Sequence, residues 1–464
     1  MTDQPLPFPV LNSTESFWRA QPDPLDSHRT TAALPEKADI VVIGAGYAGA
    51  STVYHLLEKT GRSSGEKPSI VILEAREACS GATGRNGGHL KPDPFNRPAS
   101  LAEEFGLEAA VEAAAFEDAH IEAIREVVER ENIDCDLVVT RTVDVQFTES
   151  IRDKLRAGYD RLLAADFPAA REVSFLAGDT AEALSGVKDA KSCFTYPSAH
   201  IWPYKFVMHL LTKAIAQGVN LQTHTPAQSV SPARDLEGYW TLTTARGSIR
   251  ARTIVHASNA YADTVLPEYK DRIVPARGIC CHITSPKRPA PPLANSYMLR
   301  SSGWEYEYLV PRADGSVVVG GARSAYYPAL GEWYNTTDDS RLIESARHYF
   351  DGYMQRTFHG WEDSGAAVDQ IWTGIMGYSS DSLPHVGAVP SRPGQFIVAG
   401  FTGHGMPLIF LSARGIAAMI AEGKAFEDSG VPRIYKTTQT RLDSKANKIL
   451  DTWVESQGMA SSKL

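Results

Sequence analysis

Ile40-Val41-Val42-Ile43-Gly44-Ala45-Gly46-Tyr47-Ala48-Gly49 is an apolar run that passes into a glycine turn with no spacer. Four consecutive apolar residues suit a parallel strand buried on both faces. Beyond the turn Ala50, Val53, Tyr54 and Leu57 recur at helical spacing, and Gly61 stands where a left-handed stop is expected. A second apolar run, Ile70-Val71-Ile72-Leu73, ends in Glu74. In such a unit glycine serves a tight turn at 44, close approach of backbone to a pyrophosphate at 46, and close helix-on-strand packing at 49. The helix N-terminus offers partial positive charge to phosphate. Glu74 is placed to accept ribose hydroxyls and to repel a 2′-phosphate. The unit predicts a Rossmann-type α/β domain that binds a dinucleotide.

Farther along, Leu101 to about Glu131 reads as helix, Leu137–Phe147 as an alternating strand and Ile151–Ala164 as helix. A helix over Lys205–Gln217 and strands at Val219–Gln222 and Thr253–Ala257 extend the α/β pattern. Short β segments at Arg277–Ile283, Tyr306–Val310 and Ser316–Gly320 suggest an antiparallel sheet. Gln395–Gly400 then repeats the strand-into-glycine device before a helix striped by Leu408, Leu411, Ile416 and Met419. The alternation predicts a discontinuous nucleotide domain (38–95, 196–270 and 371–435) embracing an α+β substrate domain built on an antiparallel sheet (96–195 and 271–370). A proline-rich arm (1–37), with Phe17 and Trp18 as its docking points, and a C-terminal tail (436–464) complete the chain.

The 464 residues are 43% hydrophobic and 22% charged, and the net charge is -9. This composition supports packed domains and supplies no positive field for nucleic acid or anionic lipid. The five cysteines, Cys79, Cys135, Cys193, Cys280 and Cys281, have no metal-ligand or disulfide spacing, so reduced thiols and no metal site are expected. No apolar stretch approaches the roughly 18 residues of a membrane span. The first 30 residues lack the apolar centre of a signal peptide.

Glu74 is followed by Ser80-Gly81-Ala82-Thr83-Gly84-Arg85-Asn86-Gly87-Gly88-His89-Leu90, whose small residues would let backbone amides approach a flat ring system. Together with Asn259-Ala260-Tyr261, Val274–Gly278, Tyr308–Arg312, Gly320-Gly321, Trp372-Thr373-Gly374, Asp381 and Gly400–Met406, these residues resemble the FAD-dependent amine oxidoreductases that include D-amino-acid, glycine and sarcosine oxidases. The resemblance is strongest to the branch holding γ-glutamylputrescine oxidases and related fungal flavoproteins, and spans roughly 38–430. It implies FAD as cofactor, held by Gly44–Gly49, by Glu74 with Ala75 and Arg76, by the loop Thr83–His89 along the isoalloxazine, by Ala227 and Gln228 at the adenine, and by Asn259 and Gly377. Gly403, His404, Gly405 and Met406 would face the pyrimidine edge of the flavin, where a helix beginning near Gly403 would stabilise negative charge. Relatives that link the flavin covalently do so through a cysteine absent from Gly374–Gly377 or a histidine where Arg85 stands, so non-covalent FAD is expected.

The resemblance further implies hydride transfer from the carbon next to nitrogen of a small-molecule amine or amino acid, giving an imine. His89, Lys91 and Tyr308 are the candidate catalytic residues. Pro407 replaces a second carboxylate-binding cation of the family, which shifts the expectation toward larger or non-carboxylate amines. With no second GxGxxG for a nicotinamide partner, oxygen is the expected acceptor and hydrogen peroxide the product. Ser462-Lys463-Leu464 is a tripeptide read by the peroxisomal import receptor, so the peroxisome is the expected location. A flavin amine dehydrogenase or a natural-product biosynthetic oxidase is the alternative enzyme, and a flavin-bound scaffold without turnover is the alternative from another class.

Overall fold

The computed structural model describes residues 8–61, 67–287 and 292–461, and Ser462-Lys463-Leu464 lies outside them. Among the described residues the strands form two sheets. The first has the spatial order His385–Ala388, Gln395–Ala399, Gly247–His256, Lys37–Ile43, Ile70–Leu73, Asn220–Gln222. Its central strands are parallel, with Ile43 level with His256 on one side and Leu73 on the other. Alternate residues feed two cores, as a doubly covered sheet requires. Ile40, Val42, Ile70 and Ile72 pack under the helices Tyr47–Thr60, Pro203–Ala216 and Ile409–Glu422. Val41, Ile43, Val71 and Leu73 pack against Trp240, Leu242, Leu266 and Tyr269. The expected Rossmann-type domain is present, although Gly61 ends the first helix with a right-handed φ of -66° rather than a left-handed one.

The second sheet runs Ala367–Ser379, Ile273–Thr284, Val317–Gly320, Tyr306–Pro311, Ser296–Arg300, Val138–Gln146, Ser192–His200, His89–Leu90. The pairing is antiparallel except where Ser296–Arg300 lies parallel to Val138–Gln146. The divisions expected at 195/196 and 370/371 fall inside strands of this sheet, because a strand at the seam continues the second sheet whichever stretch of chain supplies it. One face carries Val143, Val145, Ile279, Cys281, Leu299 and Leu309 into a core with Trp333, Tyr353 and Trp361. Alternate residues on the other face include Asp144, Cys280, Met298, Arg300 and Tyr308. The helix read as continuous from Leu101 breaks into Asn96–Phe105 and Leu107–Glu131 at Gly106, whose φ of 86° no helix continues through. The arm is not free-standing: Trp18 is fully buried and joins the core of the first domain.

Candidate active site

A cavity of about 610 Å³ lies where the carboxyl ends of the first sheet, at Ile43, Leu73, Ala257 and Val398, meet the polar face of the second. Its floor is the glycine turn. Gly44 has a φ of 112°, and a Cβ there would sit 2.7 Å from the Ala257 carbonyl oxygen. A Cβ on Gly49 would sit 1.9 Å from the Gly44 carbonyl oxygen, which is the helix-on-strand closeness its position predicts. At Gly46 the neighbour is the Thr83 hydroxyl, which also accepts from the Tyr47 amide at 2.9 Å. Glu74 accepts from the Ala45 amide at 2.8 Å and the Arg76 amide at 3.0 Å, tying the end of the second strand to the turn.

Gly44, Gly46, Tyr47, Ala48, Glu74, Ala75, Arg76, Thr83, Arg85, Asn86, Gly87 and His89 all contribute to the wall, as do Ala227, Asn259, Gly377 and Gly403–Met406. The wall omits Ala45, Gly49, Gly84, Gly88 and Gln228. Ala45 and Gly49 face Glu74 and Gly44 as described. A Cβ on Gly84 would strike the Cys79 carbonyl oxygen at 2.4 Å, and one on Gly88 would meet the Ile201 carbonyl oxygen and Trp18. These two glycines therefore serve packing beneath the loop. Gln228 follows Ala227 where the strand's register shifts against Trp240–Thr244. Tyr47 presents backbone to the cavity while its buried ring packs near Phe206 and Phe410.

Arg85 turns its guanidinium into protein, bonding the Ser80 and Thr373 carbonyls at 2.9 and 2.8 Å and the arm at Ser13 and Thr14. Burial lowers its pKa to about 10, with Asp339 opposing the shift. Asn259, at φ 49°, accepts from the Gly400 amide at 3.0 Å, and a Cβ on Gly377 would fall 2.6 Å from the same oxygen. The helix expected near Gly403 begins at Ile409. Thr402 and Gly403 both have positive φ and form a turn, and the Gly405 carbonyl takes the Leu408 and Ile409 amides. His404 points to Glu117 at 2.9 Å, and the Met406 sulfur accepts from Asn86 Nδ2 at 3.6 Å, joining this turn to the Thr83–His89 loop.

The three candidate catalytic residues all line the cavity. The ring centroids of His89 and Tyr308 lie 6.0 Å apart. His89 Nε2 is shut off from solvent and has no hydrogen-bond partner among the described residues. Burial holds this imidazole well below its ordinary value, and Lys91, His200 and His404 add to the shift, so it is neutral near pH 7. Lys91 is buried and donates to the Tyr196 hydroxyl at 3.3 Å. Burial lowers its pKa against the pull of Asp93. Tyr308 meets Cys280.

Charged groups that the sequence reading did not single out stand behind these residues. Arg300, lining the cavity, is held by fully buried Asp144 through Nε at 2.8 Å and Nη2 at 3.0 Å. Tyr196 donates to the same carboxylate at 3.4 Å, so one buried anion stands behind both Arg300 and the partner of Lys91. Asp93, also in the wall, accepts from the Asn96 amide and is kept below the ordinary carboxylate range by Lys91, Arg300 and His404, against the opposing effect of burial. The signal in the sequence was Asp144 between Val143 and Val145, an alternation indistinguishable from that of a solvated face.

The cleft fits FAD: Gly44 and Gly49 stand where a Cβ would strike backbone, an acidic residue ends the second strand, and His89 stands in the wall of the same cavity. Two cysteines border it, but burial pushes Cys280 up to about 12 and Cys79 higher still, so both are protonated and poor nucleophiles.

Comparison with known proteins agrees. Gamma-glutamylputrescine oxidoreductase of Escherichia coli K12 is 25% identical over 82% of this chain and 83% of its own length. Glycine oxidase of Bacillus licheniformis is 23% identical over 83% of this chain and 94% of its own. Among solved structures, glycine oxidase from Geobacillus kaustophilus superposes with a TM-score of 0.67 at 20% identity, covering 87% of this chain and 99% of that one. L-Amino acid deaminase from Proteus myxofaciens gives 0.68 at 16%, covering 94% and 98%. The model of the DAO family, FAD dependent oxidoreductase, matches residues 39–419, and the chain belongs to that family.

Proposed function

We propose that this FAD-dependent oxidoreductase is an oxidase of amines or amino acids that works in the peroxisome. The carrying observation is that one cavity is lined both by a complete dinucleotide cradle and by neutral His89, Lys91 and Tyr308. The chemistry that FAD supplies when bound is acceptance of a hydride from the carbon next to nitrogen, after which water hydrolyses the imine and oxygen takes the electrons to hydrogen peroxide. The cradle Gly44–Gly49 with Glu74 would hold the pyrophosphate and ribose, and the Thr83–His89 and Gly403–Met406 segments the ring system.

The chain's own groups bind and orient the substrate. An amine arrives as ammonium and must lose a proton before its lone pair can help expel hydride. His89, a neutral imidazole in the cavity wall, is suited to take that proton. Lys91 and Arg300 can hold an anionic part of the substrate, and Tyr308 forms the wall beside it. The relatives' names support an amine or amino-acid substrate, and the C-terminal tripeptide Ser462-Lys463-Leu464 supports the peroxisomal location.

The test is an aerobic peroxide screen over amines, polyamines and both enantiomers of the amino acids, paired with anaerobic bleaching of the bound flavin. Bleaching without peroxide on readmission of air would reject the oxidase. No bleaching by any amine would reject the substrate class.

A further inference from the structure

Phe8 and Pro9 line the same cavity as Glu74 and Arg76, although the family match begins only at residue 39. Arg76 fixes them there. Its amide bonds Glu74, its Nη1 donates to the Val10 carbonyl at 2.8 Å, and its guanidinium is anchored bidentately on buried Asp339 at 2.9 and 3.0 Å. The next residues of the arm are held from both sides. The Thr14 amide donates to the Asp339 carbonyl at 2.8 Å, its hydroxyl accepts from the Thr373 amide at 3.1 Å, and Arg85 Nη2 donates to its carbonyl at 2.6 Å. Farther on, the Ser16 hydroxyl donates to the Gly84 carbonyl and Trp18 Nε1 to the Asn86 carbonyl, each at 2.5 Å. The arm thus runs from the ribose side of the cradle along the back of the loop expected beside the flavin. Residues 8–14 belong to no strand or helix, so the hold consists of a few bonds between the arm and the body. Such a segment opens at less cost than global unfolding.

We propose that residues 8–14 complete the dinucleotide site as a strap: FAD enters and leaves only when the strap lifts, and bound FAD holds the strap down. The inference rests on FAD as the cofactor, and coupling of this kind is reciprocal. Two measurements test it. Deleting residues 2–10 removes Phe8, Pro9 and the Val10 acceptor while leaving Thr14 in place. FAD release from the holoprotein, followed by the recovery of flavin fluorescence on dilution, should then accelerate roughly tenfold or more, because loss of a covering contact acts mainly on the off-rate. Release at the wild-type rate would overturn the strap. On the unaltered chain, amide hydrogen exchange across residues 8–18 should be slower in the holoprotein than in the apoprotein, and equal exchange would overturn the coupling. If the shortened chain does not fold, the exchange comparison decides alone. A wild-type chain that takes up no FAD would instead sink the cofactor assignment.

Discussion

The phenol oxygen of Tyr308 and the thiol sulfur of Cys280 lie 3.2 Å apart in the cavity wall, reaching each other over Gly320, whose strand lies between theirs in the second sheet. The ring reaches that position through a slot without side chains. A Cβ on Gly87 would come within 2.4 Å of Tyr308 Cε2, and one on Gly320 within 2.3 Å of its Cζ and hydroxyl. Gly87, in the loop expected to line the flavin, therefore also seats Tyr308.

Gly87→Ala and Gly320→Ala should each displace Tyr308 and cost about 1–3 kcal/mol of stability by overpacking. Turnover of amines should fall while FAD content holds. Adding Tyr308→Ala to either variant should recover most of the lost melting temperature. A double variant no more stable than the single would show that the strain lies elsewhere.

What could be read from the sequence follows from the range of the interactions. The cradle was legible because its strand, turn, helix and acidic strand end fall within Ile40–Glu74 and each enforces a local rule. Tyr308 came from resemblance, and its strand was read as one of several short β segments. The Asp144–Arg300 pair was not legible, since the residues stand 156 apart in sequence and only the parallel pairing of Val138–Gln146 with Ser296–Arg300 brings them together. The arm's proline content and lack of periodicity marked a connector. Its docking depends on Arg76, Arg85 and Asp339, whose meeting no local pattern encodes. The late helix start at Ile409 reflects positive φ at Thr402 and Gly403, where two residues in a turn conformation delay helical bonding.

Glu74→Ala should weaken FAD retention and also lower the stability of the apoprotein. The carboxylate already accepts two backbone amides, and a hydrogen bond to a charged group contributes about 1.5–3 kcal/mol. Isothermal titration with FAD and apoprotein melting separate the two effects. Wild-type FAD affinity would remove Glu74 from the ribose site.

Asp339→Ala should be among the most destabilising single changes at the site. The residue is 1% exposed, is bonded bidentately by Arg76, and has Arg85 Nε at 3.5 Å. Its removal leaves two buried guanidiniums without their carboxylate, a loss of about 3–5 kcal/mol by comparison with other broken buried pairs. Urea denaturation measures it, and a change below about 1 kcal/mol would show that water or the arm can replace the carboxylate.

Stability should fall as pH drops from about 6.5 to about 4, the ordinary and the native histidine values. Burial is the largest cause lowering His120, His200 and His256 each to about 4, so the unfolded chain binds these protons first. The stabilisation is complete above the unfolded value and is lost on descent toward the folded one. At about 1.36 kcal/mol per unit, each contributes up to roughly 3 kcal/mol. Melting curves from pH 7.5 to 4.5 check the direction, and His256→Asn should flatten the slope if it folds. A melting temperature independent of pH across that window would refute the neutral, buried state of these rings.

The reaction with oxygen turns on where positive charge stands. The resemblance to sarcosine oxidases implies an oxygen-activating lysine in the strand Val317–Gly320, where the matching residue is Val318. Val318 is fully buried, level with His282 and Val310 on its neighbouring strands, and offers no charge. Protonated His89 is no substitute, because burial keeps its imidazole neutral. Lys91 lies in the cavity wall. Burial lowers its pKa, but its ammonium retains the Tyr196 hydroxyl as a partner and the field of Asp93 and Asp144. A cation there favours the superoxide-like charge that forms as electrons reach oxygen. Lys91→Met preserves the stem while removing the charge, so it should slow reoxidation of the anaerobically reduced enzyme by air-saturated buffer roughly tenfold or more, a change of at least about 1.4 kcal/mol in barrier. Reduction of dye acceptors should persist in this variant. If Lys91→Met reacts with oxygen as fast as the parent, the charge comes from elsewhere. A parent enzyme that reacts with oxygen no faster than free reduced flavin, while still reducing dyes rapidly, is a dehydrogenase.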